Sequence, residues 1–338
     1  MQTHHSALSQ AADLDLLQSL KDDQISEMRG IPHLENRNGR GYWYDMYRVG
    51  SSVRKTYLGE QSPEMDERIA NHRHLASQRT DRNAERGRLV RVLRAEGFQQ
   101  IDAQSGSIIA ALAKAGTFRL GGTIVGTHAF RLYEGELGIR FQLTEIVQTG
   151  DVDIAQFERL SLALEDQVAP SLPDTFKSLE FEPIPAVFSR SVWRWRQARS
   201  NIYVEFLTPS FRPEEDIREL PALGVAAQSL HFLNFLIADS IKAAVLYRSG
   251  VLVQIPRPDR YAIHKLIVAD RRKAGPDQLK SRKDRAQAAL LIRALAEDRP
   301  DELRDAYSAA LDSGPRWGAH IAASLQRLPE TAALLGGL

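Results

Sequence analysis

Apolar positions recur at helical spacing from about residue 6 to residue 29, at Leu14, Leu17 and Leu20 with Leu16 and Ile25 beside them, and predict a first amphipathic helix. The pattern changes at Gly39. Up to Gly59, Tyr42, Trp43, Tyr44, Tyr47, Val53 and Tyr57 crowd around Gly50-Ser51-Ser52, which reads as an aromatic hairpin with its turn at those small residues. From Pro63 to Glu96 charge dominates. Ten arginines and histidines alternate with acids, and only Gly87 is a weak point, so the segment predicts one long helix with a solvated face or, alternatively, a nucleic-acid-binding helix.

Beyond Gly97 the period switches repeatedly between helix and strand. Ser107 to Ala115 predicts a short helix, Thr117 to Leu120 a strand, and Thr123 to Leu132 a helix that begins directly after Gly121-Gly122. Gly138 to Glu145 and Asp151 to Ile154 predict strands, Phe157 to Ala169 a helix, and the prolines from Pro170 to Pro185 a loop-rich stretch. Val187 to Arg196 and Ile202 to Leu207 form an antiparallel pair in this reading, and Ala243 to Tyr247 with Val251 to Ile255 a hairpin about Arg248-Ser249-Gly250. From Arg260 onward the chain reads as helical, divided by Pro276, Pro300, Pro315 and Pro329. No internal repeat or low-complexity tract interrupts it.

The 338 residues suffice for a sizeable core, and a composition of 43% hydrophobic and 26% charged is that of an ordinary globular chain. The densest apolar run, Leu230 to Ala238, falls short of the ~20 residues needed to span a bilayer, so no membrane partner is expected. The first residues lack the basic start and apolar core of a secretory signal, and there are no cysteines. Both features fit a cytoplasmic location, and the second excludes thiolate chemistry and zinc-thiolate sites. A net charge of +1 gives no global argument for nucleic acid.

Three short stretches carry candidate chemistry: Gly121-Gly122-Thr123, Asp151-Val152-Asp153, and Glu205 within the apolar run Ile202 to Leu207. Residues two apart on a strand share a face, so Asp151 and Asp153 can point together with Val152 and Ile154 behind them. An acid in an apolar strand costs free energy unless it is paired or holds a cation. Three carboxylates brought together can hold two divalent cations about 4 Å apart, the clamp of phosphoryl transfer, and oxygen-only ligands favour Mg2+ or Mn2+. Backbone amides at a glycine pair before a helix can cradle a phosphate, to which Thr123 adds a hydroxyl. Each feature also has a structural reading: a tight turn for the glycines, an acidic strand end for Asp151 and Asp153, and an ion pair with Arg194 or Arg196 for Glu205.

Gly121-Gly122, Asp151-x-Asp153 and the distant Glu205 resemble the signature of the nucleotidyltransferase superfamily with a DNA-polymerase-β-like fold. That signature is a strand ending in Gly-Gly or Gly-Ser, an Asp-x-Asp or Asp-x-Glu strand, and a third acid on a later strand. The segment Pro256-Arg257-Pro258-Asp259-Arg260-Tyr261-Ala262-Ile263-His264-Lys265-Leu266, then Arg271-Arg272 and Lys283 to Ala288, is similar to an uncharacterised prokaryotic branch of that superfamily. In that branch the helix near His-Lys-Leu brings a lysine, here Lys265, toward a triphosphate. The resemblance spans roughly residues 105 to 295. One departure is the 28 residues between Gly122 and Asp151, longer than the minimal motif and accommodated by an inserted hairpin around Leu132 to Val147.

The resemblance implies an α+β fold: a small mixed-sheet nucleotidyltransferase core at 101–258, an N-terminal helix and hairpin extension at 1–100, and a helical C-terminal region at 259–338 that completes the nucleotide site. It implies a metal-dependent transferase. Asp151, Asp153 and Glu205 would bind Mg2+ or Mn2+, Gly121, Gly122, Thr123 and Lys265 would bind a nucleoside triphosphate, and the nucleoside monophosphate would pass to an acceptor hydroxyl of RNA, protein or a small molecule. A catalytically silent nucleotide- or RNA-binding module of a toxin, defence or regulatory system is the rival reading, and acids that merely make salt bridges a third. Lys265 has an independent rationale as a point charge for phosphate. Arg271, Arg272, Lys273, Lys280, Arg282, Lys283 and Arg285 form a basic patch, and His128 and His264 read as locally packed. Trp193-Arg194-Trp195-Arg196 would show an aromatic face and a cationic face, for core packing or for stacking on RNA. The N-terminal extension could support a homodimer.

Overall fold

Asn38 and Gly39 adopt φ of 52° and 78°, the left-handed pair that a two-residue hairpin turn requires, and they fold strand β1 (Ile31–Arg37) onto β2 (Arg40–Val49). β2 in turn pairs antiparallel with β3 (Ser52–Glu60). The computed structural model describes residues 3–25, 28, 30–49, 52–141, 151–164, 166–185, 191–274 and 278–338. The aromatic hairpin is therefore a three-stranded sheet, with the expected turn at Gly50-Ser51 outside the described residues. One face buries Trp43 with Met28 and Ile69.

Two helices, α2 (Pro63–Ser77) and α3 (Arg79–Ala95), replace the single long helix. The break falls at Gln78 (φ −87°, ψ 1°) rather than at Gly87. Gly87 stays helical because its neighbours Arg86, Val90 and Leu93 are buried, and packing overrides the weak helix propensity of a glycine. The first helix, α1 (Ala7–Ile25), lies along α3. Its buried stripe is Ala12, Leu16 and Leu20, packed on Val90, Leu93, Phe98 and Leu246, whereas Leu14 is exposed. The spacing of four is the helical neighbour rule. His5 stacks on Phe98 at 3.8 Å and meets the buried Glu134 at 3.2 Å.

The main body follows in chain order. It runs α4 (Ala103–Ala115), β4 (Thr123–Val125), α5 (Gly126–Leu137), β5 (Val152–Ala155), α6 (Glu158–Ala163), α7 (Leu172–Ser178), β6 (Phe181–Pro185), β7 (Val192–Gln197) and β8 (Tyr203–Pro209). Next come β9 (Ile217–Leu220), β10 (Val225–Leu230), α8 (Leu233–Ile237), β11 (Ser240–Val245) and β12 (Val251–Pro256). Seven strands form one mixed sheet in the order β4-β5-β8-β10-β9, with β7 on β8 and β6 on β7. β5 and β8 are parallel; β4 on β5 and β7 on β8 are antiparallel. β11 and β12 make the expected hairpin.

The C-terminal helices are α9 (Pro258–Arg271), α10 (Gln278–Asp298), α11 (Pro300–Asp312), α12 (Pro315–Leu325) and α13 (Pro329–Gly336). Pro300, Pro315 and Pro329 start helices, where a missing N–H costs nothing; Pro276 lies outside the described residues. A continuous apolar core runs from Ile108 to Leu335. Its packing, not local propensity, accounts for the α+β layout. Among the described residues, no helix is long and apolar enough to cross a membrane.

Several local expectations differ. Thr117 to Gly121 is a series of turns instead of a strand, and β4 comes after the glycine pair instead of before it. The expected insert at Leu132 to Val147 begins as the last turns of α5; Ile139 makes an isolated bridge to His4, and residues 142–147 lie outside the described residues. The loop-rich stretch contains α7 and β6. Trp195 is core, against Phe176 at 4.8 Å and Phe206 at 5.4 Å. Phe206→Ala should therefore cost about 3–5 kcal/mol, measured as a lower urea midpoint; a change within 0.5 kcal/mol would contradict this account of the core.

Candidate active site

Parallel pairing of β5 with β8 sets Asp153 directly beside Glu205, on strands whose separation is ~4.8 Å. Val152, Ile154, Val204 and Phe206 point the other way and are fully buried, so the apolar underside fixes which face carries the acids. Asp151 stands two residues before Asp153, just outside the strand and partly buried. Burial, then Glu205 and Asp151, push the Asp153 carboxyl up to about 7. Glu205 is raised as well, chiefly by burial, although Arg194 opposes the shift. Arg194 Nε lies 2.7 Å from Glu205 Oε1, and the Arg194 guanidinium stacks over Tyr203 at 4.0 Å. The expected strand neighbourhood and the expected ion pair thus occur together.

Gly126 forms the floor beside these acids. Antiparallel pairing puts Val125 opposite Asp153, and the next residue, Gly126, turns into α5 with φ of 68°. A Cβ at Gly126 would fall 2.4 Å from Asp153 Oδ2, so only glycine fits here. Tyr261 Oη donates to the Gly126 carbonyl at 2.8 Å, and Lys283 Nζ donates to Thr127 Oγ1 at 2.9 Å. α9 and α10 are thereby fastened to the start of α5.

The same two helices bring a cationic wall to the acids. Lys265 is buried, with Nζ donating to Asp284 Oδ1 at 2.5 Å, while Arg272 donates to the other oxygen at 2.9 Å. Burial pushes the Asp284 carboxyl up, but Lys265 and then Arg272 outweigh it and hold it below its ordinary range. Lys265 and Arg272 also favour the ionised form of Asp153. Burial, with Lys265 adding to it, lowers the Lys283 ammonium to about 8. His264 and His128 are buried and held neutral, lowered to about 3 and about 4 by burial first.

The structure does not bring Gly121, Gly122 and Thr123 to this cluster. β4 runs antiparallel to β5, so Thr123 pairs with Ala155, at the end away from Asp153. Thr123 is buried and its hydroxyl accepts from Gln254 Nε2 at 3.1 Å. Gly122 N–H donates to the Thr117 carbonyl at 2.9 Å, and a Cβ there would meet that oxygen at 2.8 Å. The pair serves a tight turn after α4. Gly126-Thr127 is the element that the sequence reading missed, and the apolar run Thr123-Ile124-Val125 ending in Gly-Thr before a helical pattern was its signal. Lys283 and Asp284 fall in the segment Lys283 to Ala288 that carried the resemblance, but neither drew a role of its own from the sequence. Among the described residues, no group of three or more His, Cys, Asp or Glu side chains is arranged to hold a metal ion.

Two expectations follow. Gly126→Ala should lose about 1–2 kcal/mol from the left-handed backbone alone, with a further loss from displacing Asp153; stability equal to wild type would contradict the tight contact. Burial, Glu205 and Asp151 push the folded Asp153 carboxyl up to about 7 from an ordinary 3.8, so the native state binds the proton more tightly and stability falls as pH rises from about 4 to about 7. In chelator, Asp153→Asn should shallow that decline and have a higher urea midpoint than wild type at pH 8. A lower midpoint at pH 8 would reject this electrostatic account.

A family model described as Nucleotidyltransferase matches residues 103–312, a span from α4 through α11 that includes Gly126, Asp151, Asp153, Glu205, Lys265, Lys283 and Asp284. No curated protein matches the chain. Among solved structures, the crystal structure of an antigenic nucleotidyltransferase-like protein from Paracoccidioides brasiliensis is similar at 13% identity, covering 66% of this chain and 95% of that one, with a TM-score of 0.32. The family match alone covers well over half of the sequence and encloses the acid strands together with the helices that face them, and on that ground the chain belongs to the nucleotidyltransferase family.

Proposed function

We propose that this chain is an active nucleotidyltransferase that moves a nucleoside monophosphate from a nucleoside triphosphate to an acceptor hydroxyl. The observation that supports it best is the register pairing of Asp153 with Glu205 beside Gly126, with Lys265 and Arg272 acting on Asp153 and Lys283 held at Thr127. In the transfer the acceptor oxygen bonds to the α-phosphorus, the bond to the departing pyrophosphate breaks, and the acceptor's proton goes to a carboxylate. Asp153 or Glu205, both raised toward neutrality, suits that base role. Lys283 and Arg272 neutralise triphosphate oxygens, Lys265 adds charge behind them, and the bare Cα of Gly126 leaves room for a phosphate to approach.

The donor chemistry is that of a hard divalent cation, since Asp151, Asp153 and Glu205 offer only oxygens; as placed they are not gathered into a three-carboxylate site, and a cation would have to draw them together. Those three residues would hold Mg2+ or Mn2+, which when bound neutralises charge on the phosphates and lowers the pKa of an acceptor hydroxyl. Arg194 on Glu205 favours a second reading, a nucleotide-binding module in which that acid is structurally committed.

The two readings part on one assay. Wild type incubated with labelled nucleoside triphosphates, Mg2+ and cell extract should yield a labelled product. Asp151→Asn with Asp153→Asn should reduce it by more than about 100-fold, since such charge stabilisation is worth several kcal/mol, while circular dichroism stays native. Full transfer by the double variant would sink the assignment of the acids. Nucleotide binding by calorimetry with no turnover in any fraction would support the silent module.

A further inference from the structure

Among the described residues, one face of the three-stranded sheet carries exposed side chains. Strand alternation sends Trp43 and Asp45 inward, where they are buried, and sends Tyr42 and Tyr44 outward. The register then sets Tyr57 opposite Tyr44 on the outer face. Tyr57 is 56% exposed, and Ile31 and Val53 on the same face are 76% and 55% exposed. The tyrosines form a cluster: Tyr44 and Tyr57 meet edge to face at 5.6 Å, and Tyr42 lies 6.4 Å from Tyr57. Lys55 sits over the Tyr44 ring at 3.9 Å.

At the hairpin tip Arg37 and Arg40 are directly opposite each other, a like-charge pair that costs stability in a sheet. Each has an acid within reach, the half-buried Glu35 at 3.2 Å and the exposed Glu60 at 3.7 Å, near the surface where such pairs are weak. A polyanion laid across the tip would relieve the repulsion. Tyr42 and Tyr44 are two residues apart on one strand, ~6.8 Å along it, about twice the ~3.4 Å rise between stacked bases in a duplex. Bases reach both rings only when unstacked. Glu35 is hydrogen-bonded by Lys55 and Arg37 at the centre of the face, and its carboxylate oxygens can accept from a ribose 2′-hydroxyl, a donor that RNA has and DNA lacks.

We infer that this outer sheet face binds single-stranded RNA, stacking bases on Tyr42, Tyr44 and Tyr57 and seating phosphates on Arg37 and Arg40. The inference concerns binding alone and stands independently of nucleotidyl transfer.

The test uses the full-length protein and fluorescence anisotropy with labelled 12-nucleotide RNA of mixed sequence, the DNA of the same sequence, and the RNA duplex. Wild type should prefer the single-stranded RNA. Replacing Tyr44 and Tyr57 together with Ala should weaken it roughly 10-fold or more, and replacing both with Phe should restore it. Arg37→Ser with Arg40→Ser, two exposed changes that leave the rings in place, should reduce the salt slope by roughly 1.4, since each phosphate contact on a single strand accounts for ~0.7. No RNA binding by wild type, unchanged binding by the folded Ala pair, or failure of the Phe pair to restore affinity would overturn the proposal. An unchanged salt slope would do the same, as would equal affinity for the DNA or the duplex.

Discussion

Everything at the candidate site depends on two carboxylates being held side by side by a parallel strand pair. Asp153 and Glu205 are register partners, and their mutual repulsion in a partly desolvated setting works against the fold. The opposing force is hydrophobic. Ile154 and Phe206, also register partners, are fully buried with Val152 and Val204, and a slip of one residue would exchange the acids for the apolar side chains. The core thus fixes the acids where their charges alone would not place them.

Asp284 performs the complementary task on the other wall. Its two oxygens receive Lys265 and Arg272, so two buried or half-buried cations are positioned before any anion arrives. A buried ion pair of this kind adds little net stability. Under the proposed transfer its value is geometric, because side chains already held by a partner lose less conformational entropy on meeting a ligand. Tyr261 and Lys283 tie the same helices to Gly126 and Thr127, which couples the cationic wall to the start of α5.

What could be read from the sequence follows the same division. Asp151-Val152-Asp153 and the run around Glu205 were legible because strand alternation is local and strong, and the pairing of β7 with β8 and of β11 with β12 followed from turn chemistry. Gly126 drew less notice than Gly121-Gly122 because Gly-Gly is a louder signal than Gly-Thr. Only the register of β4 on β5 shows which glycine faces Asp153. β1 escaped notice although Asn38-Gly39 is a strong hairpin signal, because the aromatic residues drew the turn toward Gly50. α7, β6, β9 and β10 were invisible for another reason: they are short, and their apolar residues acquire meaning only against the shared core. The break at Gln78 likewise reflects what α3 packs upon.

Parallel pairing has one more consequence, for how such a chain can change. The path from β5 to β8 is a crossover that includes α6, α7, β6 and β7, and parallel strands constrain where the crossover returns, not how long it is. The interval between the second and third acids is therefore free to lengthen by insertion in the loops around α6 and α7 without moving either carboxylate, whereas β7 is held by its pairing with β8 and by Arg194 on Glu205. Relatives of this chain are better recognised by strand register than by counting residues between acids, and a reporter domain grafted into the crossover has a better prospect of sparing the site than one grafted at Gly126.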